Sequence, residues 1–199
     1  MEAQAENNAL KQVYGHPLLQ NGNIEKIIEA HEKITFTKGE LVLKEGQVAN
    51  EYLIIEKGLM RSYVHNYDGN DITTNFFSEN EIVIEVSSLF QRIPTQENIE
   101  ALMDCICWKI GFEHFQNLYH SMEGFSEWGR AWMAQSLFES KQRSISIITD
   151  SATERYQKLL QDKPSVLKNA PLKHVASFLG ITDTSLSRIR KETANLRSG

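Results

Sequence analysis

The sequence is poor in the features that mark several classes of protein. It has two cysteines and four prolines in 199 residues, which argues against a disulfide-stapled scaffold and a proline-rich disordered chain. No apolar run approaches the roughly 20 residues of a membrane helix, and no signal peptide is recognisable. We therefore expect a cytoplasmic protein that contacts no membrane. Hydrophobic residues make up 41% of the chain, which is enough for a folded core.

Catalytic and metal-binding motifs are also missing. The sequence contains no P-loop, dinucleotide fingerprint, HExxH or nucleophile motif, so an enzyme is not expected. The six histidines are scattered without ligand spacing, so neither a metal nor another cofactor is expected. Cys105 and Cys107 alternate along a predicted strand and should face one side. Such cysteines are most often small buried hydrophobes, and a metal-binding or oxidant-sensing pair is the alternative.

Positive charge is concentrated near the C-terminal end. The chain as a whole has a net charge of −5, but residues 151–199 contain nine basic and four acidic side chains. The remaining residues contain 12 basic and 22 acidic side chains. A basic end on an acidic body is typical of a protein that binds a polyanion such as double-stranded DNA. Chance clustering of solvated charges is the alternative.

The first half of the chain has the texture of a small β-structure. Residues 34–110 are rich in β-branched and aromatic residues, and turns such as Asp68-Gly69-Asn70 interrupt them at short intervals. This pattern predicts an all-β barrel or roll. A short amphipathic helix is predicted at 24–33, and the polar residues 1–12 are expected to be frayed.

The second half is predicted to be helical. Helices are expected over 113–122, 125–149 and 151–162, the last because a Ser/Thr pair and an acidic residue open it. The predicted fold class is therefore α+β. We divide the chain into a β-roll with flanking helices at 1–124, a long helix at 125–149 and a C-terminal domain at 150–199.

The long helix is predicted to form a dimer. Residues 125–149 contain no proline and one glycine, and a helix of that length spans about 36 Å. A small barrel cannot cover such a helix on every side, so a partner helix is the natural cover. Packing of the whole helix on its own barrel is the alternative. The residues predicted for the homodimer contact are Trp128, Trp132, Leu137 and Ile145.

The stretch "LKHVASFLGITDTSLSRIRK" at 172–191 has the spacing of a helix-turn-helix. Ala176 supplies the small residue where two helices cross, and Gly180 permits the left-handed backbone of the turn. Thr182 can cap the second helix, and two apolar residues three apart, Leu186 and Ile189, should face inward. An ordinary helical hairpin is the alternative.

The outward face of the second helix suits the major groove of DNA. Small hydroxyls fit close to base edges, and an arginine can bond guanine bidentately. The predicted base-reading residues are Thr182, Asp183, Thr184, Ser185 and Arg188. The residues predicted to contact phosphates, which position a protein without reading sequence, are Lys173, His174, Ser187, Arg190 and Lys191.

Both halves together resemble the catabolite-activator and fumarate-nitrate-reduction (Crp/Fnr) family of transcription regulators. The resemblance is carried by "ITFTKGELVLKEGQVANEYLIIEKGLMRSY" with its three glycine turns, by the long helix, and by "LGITDTSLSRIRK". It implies an N-terminal cyclic-nucleotide-binding-like β-roll, a dimerisation helix and a C-terminal helix-turn-helix. It further implies a homodimer that reads a two-fold promoter site, with RNA polymerase as a candidate partner.

The effector pocket implied by the resemblance is degenerate. Cyclic-nucleotide binders of this fold use a Gly-Glu pair and, about ten residues on, an arginine for the phosphate. Here the corresponding places hold Ile84-Glu85 and Thr95. We therefore expect cAMP and cGMP to bind weakly or not at all, and the effector is unknown. Two cysteines are also too few for the four-cysteine iron–sulfur cluster of some members. The residues of the implied pocket are Ile84, Glu85, Val86, Thr95 and Gln96.

The C-terminal domain also departs from the family. Between Gln161 and Pro171, and again after Lys191, too little chain remains for the usual β-hairpin wing, so the wing is expected to be absent or helical. Members commonly have an arginine near the start of the recognition helix, where this chain has Asp183. We expect a different target sequence. The alternative function is a ligand-sensing or protein-interaction module that has lost specific DNA binding.

Overall fold

The computed structural model describes residues 8–19 and 23–198. The elements are α1 (Asn8–Tyr14), α2 (Ile24–Glu29), β1 (Glu32–Phe36), β2 (Leu41–Leu43), β3 (Glu51–Lys57), β4 (Met60–His65), β5 (Asp71–Phe77), β6 (Ile82–Val83), α3 (Val86–Gln91), β7 (Asn98–Ala101), β8 (Cys105–Gly111), α4 (Phe112–Ser121), α5 (Phe125–Thr149), α6 (Ala152–Asp162), α7 (Pro164–Asn169), α8 (Leu172–Leu179) and α9 (Asp183–Ser198). The predicted α+β class is confirmed.

The strands form two four-stranded sheets with antiparallel pairing. One sheet has the order β1-β8-β3-β6 and the other the order β2-β7-β4-β5. Apolar side chains from both sheets meet in one core, Ile55, Met60 and Ile99 among them. The β4–β5 hairpin turns at Gly69, which has a φ of 79°. Glycine adopts this left-handed conformation at no steric cost. The predicted roll is confirmed.

Both cysteines lie in the core between the sheets. Cys105 and Cys107 are buried on β8 and face the same side. Burial raises the pKa of Cys105, and it raises the pKa of Cys107 to about 12. Because the thiolate is the nucleophile and the metal ligand, a thiol held in its protonated form is inert. The cysteines are therefore core hydrophobes, as the favoured interpretation predicted.

The N-terminal helices form a cap on the roll. The predicted helix at 24–33 ends at Glu29, and its last residues belong to β1. The expected fraying of 1–12 is wrong for the part that the structure describes, since Asn8–Tyr14 is a helix with Leu10 and Tyr14 buried. Residues 1–7 lie outside the described residues.

The helix α5 covers the predicted range, but its two halves have different surroundings. In the first half, Trp128 is buried among residues of its own chain, and its indole Nε1 donates to Val13 O at 3.2 Å. Trp132 is partly buried against the same core. The assignment of Trp128 to a dimer contact is therefore wrong, because the roll and α1 already use its side chain.

The second half of α5 leaves large apolar side chains in solvent. Leu137 is 71% exposed and Ile148 is 85% exposed, with Phe138 and Ile145 exposed beside them. At 100° per residue these four side chains lie on one side of the helix.

Among the helices of the described residues, none combines the length and the apolar character that crossing a membrane requires.

The helices α6–α9 share a hydrophobic core with the roll. Their core residues, Val175 and Leu186 among them, are continuous with Leu59, Phe76 and Leu102 of the roll. The orientation of the C-terminal helices is therefore fixed by packing against the roll as well as by packing among themselves.

Candidate nucleic-acid interface and ligand cavity

The connection between α8 and α9 has the local geometry of a helix-turn-helix. Gly180 has φ of 67° at the end of α8, and Ile181 N donates to Ala176 O at 3.0 Å. The Thr182 hydroxyl accepts a hydrogen bond from Ser185 N at 3.2 Å, which caps α9. Leu186 is fully buried, as the spacing predicted.

The outward face of α9 is polar and open to solvent. Asp183, Thr184, Ser187 and Arg188 are all exposed. Arg188 Nε lies 3.9 Å from Glu192 Oε1. A pair that long between exposed side chains contributes little, so the guanidinium can leave it to reach a base edge.

Two residues of the predicted base-reading set serve the start of α9. The hydroxyls of Thr182 and Ser185 lie 3.0 Å apart and bond each other. Asp183 stands at the positive end of the helix dipole, where a carboxylate is stabilised. The predicted base-reading side chains that project from the exposed face are therefore Asp183, Thr184 and Arg188.

The structure divides the residues predicted to contact phosphates. Lys173, Ser187, Arg190 and Lys191 are exposed, but His174 is 6% exposed. His174 Nδ1 lies 2.7 Å from Arg61 Nη1. An arginine can only donate, so Nδ1 accepts and the imidazole proton is on Nε2. The prediction for His174 is wrong, because its side chain is turned away from solvent and bonded to the roll.

Sequence reasoning also missed Arg61. The available signal was a lone arginine in the apolar stretch "GLMRSYV", since a buried arginine needs several acceptors. Asp71 and Thr73 lie on the next strand of the same hairpin, but Glu100 and His174 are 39 and 113 positions away, which no local pattern reveals.

A helix stands where the family would have a wing before α8. Residues Pro164–Asn169 form α7, with Val166 buried beneath it, and α9 continues to Ser198. Every element after Gly111 among the described residues is helical. The expectation of a helical replacement is confirmed.

A cavity of about 420 Å³ opens in the roll between β2, β3, β6 and β7. The charged residues that line it are Glu51 and Glu85, and no lysine or arginine is among its described lining residues. Its aliphatic lining consists of Val42, Leu43, Val48, Leu53, Val83, Ile84 and Ile99. The cavity therefore combines an aliphatic wall with the polar side chains of Gln47 and Asn50 and two carboxylates.

Glu85 occupies the N-terminus of α3 with its own carboxylate. The two carboxylate oxygens accept from Ser87 N at 3.3 Å and from Ser88 N at 2.5 Å. These are the N–H groups that an anionic ligand at this helix would need. The side chain thus fills an anion site with the protein's own charge.

The predicted pocket residues are only partly gathered at the cavity. Ile84 and Glu85 line it, whereas Val86 and Gln96 are exposed outside it. Thr95 is buried, and its hydroxyl accepts from Glu97 N at 3.0 Å. The assignment of Val86, Thr95 and Gln96 to an effector pocket stays a prediction, since only Ile84 and Glu85 line this cavity.

Arg92 does not replace the missing phosphate ligand. Its guanidinium donates to Ala49 O at 2.6 Å and to the side chain of Asn50. It also lies 4.6 Å from the ring centre of Phe112. These contacts use the arginine to hold the loop before β3.

Two buried histidines should make folding sensitive to acid. His31 Nδ1 donates to Ile27 O at 2.6 Å, and its Nε2 lies 3.1 Å from the Tyr14 hydroxyl. Burial lowers the pKa of His31 and of His174 from 6.5 to about 4, and the charge of Arg61 adds to the effect at His174. The folded chain keeps both neutral, while the unfolded chain protonates them below pH 6.5.

The stability from this effect is complete above about pH 6.5 and is lost as the pH falls towards about 4. For His31 alone we expect a loss of about 2 kcal/mol at pH 5. Urea unfolding at pH 7 and pH 5 measures it. The drop should be smaller by that amount in His31→Gln and unchanged in His114→Gln, which alters an exposed histidine. Equal drops in all three proteins would contradict the assignment.

Comparison with known proteins agrees with this architecture. Residues 33–122 match the model of the cyclic nucleotide-binding domain family. FixK2 from Bradyrhizobium japonicum superimposes with a TM-score of 0.73 at 17% identity, covering 83% of this chain and 85% of that one. The catabolite activator protein of Thermus thermophilus gives 0.59 at 15% identity, covering 94% and 87%. Among curated proteins, no sequence is significantly similar.

A third structure carries the family name. A chain from Eubacterium rectale, described as a transcriptional regulator of the Crp/Fnr family, has a TM-score of 0.67 at 18% identity, covering 89% of this chain and 86% of that one. The fold thus defines the class: a cyclic nucleotide-binding roll, a long helix and a helix-turn-helix. Within that class, residues 33–122 match the cyclic nucleotide-binding domain family, and the described part of the chain shares its fold with these Crp/Fnr-type structures.

Proposed function

We propose that the protein is a homodimeric DNA-binding transcription regulator that reads a two-fold promoter site and does not respond to cAMP. The observation that carries the proposal is the exposed face of α9, on which Asp183, Thr184 and Arg188 project into solvent from a buried scaffold. The similarity of the fold to Crp/Fnr regulators supports the role of a regulator. RNA polymerase is a further partner within this proposal.

Dimerisation is supported by the apolar side of α5. Four large side chains, Leu137 and Ile148 foremost, lie in solvent on a helix that carries the C-terminal domain at its end. Burial of those side chains against a second α5 would remove them from water. Two recognition helices about 34 Å apart would then meet successive major grooves.

The reading of DNA is assigned by chemistry. Arg188 reaches guanine O6 and N7, and Asp183 accepts from the amino group of a cytosine. Lys173, Arg190 and Lys191 contact phosphates, together with Ser187. Asp183, in the first turn of α9, repels phosphate, whereas Arg188, one turn later, attracts it. The helix must therefore enter the groove with its first turn over the bases.

Insensitivity to cAMP is supported by Glu85. Its carboxylate already holds the N–H groups of Ser87 and Ser88, and the cavity beside it has acidic but no basic lining residues. A cyclic phosphate there would meet repulsion and no cation. Titration calorimetry with cAMP and cGMP checks this, and binding in the micromolar range would contradict it.

Selection from a randomised duplex pool, followed by fluorescence anisotropy over a salt series, tests DNA binding. We expect a palindromic winner whose affinity falls as salt rises. Arg188→Ala should cost about 1–3 kcal/mol of discrimination between winner and random duplex. Lys57→Ala, which removes an exposed cation of the roll, is the matched control and should behave as the native chain. If no sequence is enriched and both variants match the native chain, the alternative module without DNA function is favoured.

A further inference from the structure

The contact between the roll and the helix-turn-helix is built around an arginine of the roll. Arg61 lies on β4 and is 1% exposed. Its guanidinium donates to Glu100 Oε1 at 2.7 Å, to Asp71 Oδ2 at 2.8 Å and to Thr73 Oγ1 at 3.2 Å. These three acceptors all belong to the roll, so the roll by itself fixes the plane of the guanidinium.

A fourth bond crosses to the C-terminal helices. Arg61 Nη1 lies 2.7 Å from Nδ1 of His174, which is on α8, the first helix of the helix-turn-helix. The acceptors of the roll fix the direction in which the Arg61 N–H donates to His174, and the bond is shielded from water. A buried bond of this kind constrains where α8 can sit.

Other contacts reinforce the same docked arrangement. Ser177 Oγ donates to Thr73 Oγ1 at 3.1 Å. Lys163 Nζ donates to Phe76 O at 2.7 Å and to Glu81 Oε2 at 2.8 Å. In this arrangement α9 still presents its exposed face to solvent, so docking does not cover the surface proposed to read DNA.

We propose that the roll holds the helix-turn-helix in its DNA-binding orientation through the Arg61–His174 bond, so that DNA binding needs no effector. Arg61 is a positioning residue, since it acts on DNA only through α8. The proposal rests on the proposed DNA-binding function and deepens it. The proposal agrees with the filling of the cavity's anion site by Glu85. A cavity that binds no cyclic nucleotide cannot use one to trigger a rearrangement of the helix-turn-helix.

A reversible lock tests the orientation. Ser78→Cys with Ser165→Cys places two sulfurs where the hydroxyl oxygens of the roll and of α7 lie 3.1 Å apart, and a disulfide brings them to about 2 Å. Native Cys105 and Cys107 are buried and do not compete. The oxidised and reduced forms are titrated with the selected duplex, without added ligand. We expect their affinities to agree within about fivefold.

A change in either direction overturns the proposal. Oxidation that weakens binding beyond fivefold means that the docked arrangement is not the binding one. Oxidation that strengthens it beyond fivefold means that the native bonds do not hold the arrangement. Ser62→Cys with Thr74→Cys, whose hydroxyls lie 2.7 Å apart within the roll, controls for a disulfide that crosses no boundary.

Two substitutions at His174 separate positioning from packing. His174→Asn keeps an acceptor near the place of Nδ1, whereas His174→Leu keeps apolar bulk and removes the acceptor. We expect affinity for the selected duplex to fall about tenfold in His174→Leu and to stay within about threefold in His174→Asn. The oxidised lock should restore the affinity of His174→Leu. A purely packing role predicts the opposite ranking, and that ranking, or no rescue, contradicts the proposal.

A distance measurement keeps the test independent of DNA binding. Spin labels at Glu79→Cys in the roll and Gln157→Cys on α6, both exposed positions, report the orientation directly. We expect a narrow distance distribution in the native background and a broad one with His174→Leu. A distance distribution that is already broad in the native background overturns the proposed positioning by the Arg61–His174 bond, even if DNA binds. If the distribution is narrow but the selection enriches no duplex, the Arg61–His174 positioning stands and the DNA-binding function is rejected.

Discussion

Glutamate in place of Leu137 and Ile148 should convert the protein from a dimer into a monomer. The two side chains are the most exposed apolar residues of α5, at 71% and 85%. In a dimer through α5 each glutamate would be buried against an apolar partner, or against its own symmetry copy. A buried charge without a partner costs several kcal/mol, so we expect the dimer dissociation constant to rise at least about 100-fold. Analytical ultracentrifugation over a concentration series measures it.

The same change at Tyr67 is the matched control. Tyr67 is an exposed apolar residue of the β4–β5 hairpin, and Tyr67→Glu should leave the dimer intact. At high protein concentration, the monomeric variant should also unfold at a lower midpoint than the native chain. The reason is that association stabilises the folded state by mass action. A native chain that sediments as a monomer, or a double variant that stays dimeric, would reject α5 as the interface.

The sequence predicts features that depend on neighbours along the chain. The helix-turn-helix needs a small residue, a left-handed glycine and a capping threonine at fixed spacing, and Ala176, Gly180 and Thr182 supply them locally. The range predicted for α5 follows from the absence of proline between residues 125 and 149. The roll follows from turn residues between short β-rich runs. Each of these signals lies within about ten residues of the feature that it sets.

The errors concern contacts between distant parts of the chain. His174 is a plausible phosphate ligand on α8 alone, and it is buried because Arg61, 113 positions away, is fixed by acceptors of the roll. Trp128 is a plausible dimer residue on α5 alone, but Tyr14 and Phe125 pack against its ring and Val13 O accepts a hydrogen bond from its indole N–H. Helical periodicity tells which side chains share a face, but it does not tell what that face meets.

The pocket shows a third limit. In the sequence, Ile84 and Thr95 depart from the family pattern, whereas Glu85 keeps it, and of the three Ile84 and Glu85 line the cavity. It could not show that the Glu85 carboxylate caps α3, since that depends on the backbone conformation at residue 85. The proposed insensitivity to cyclic nucleotides therefore has two expected causes: the missing arginine and an anion site that the protein occupies itself.

Gly124→Ala should be among the most destabilising single substitutions in the chain. Gly124 precedes α5 with φ of 80°, and an added Cβ would lie 1.8 Å from Leu18 O. The left-handed backbone costs an alanine about 1–2 kcal/mol, and the main-chain contact adds about 1–3 kcal/mol of overpacking. We expect the free energy of unfolding, measured by urea titration, to fall by about 2–5 kcal/mol.

Gly69→Ala isolates the contribution of the contact. Gly69 has nearly the same φ, 79°, and an added Cβ there would meet no atom within 4 Å. It therefore carries the backbone cost of about 1–2 kcal/mol without the clash. The excess loss in Gly124→Ala measures how firmly the N-terminal cap is held against the start of α5, where Tyr14 and Trp128 pack with ring centres 4.6 Å apart. Equal losses in the two variants would mean that the chain at Leu18 yields without cost, and α5 would then be anchored by its aromatic contacts alone.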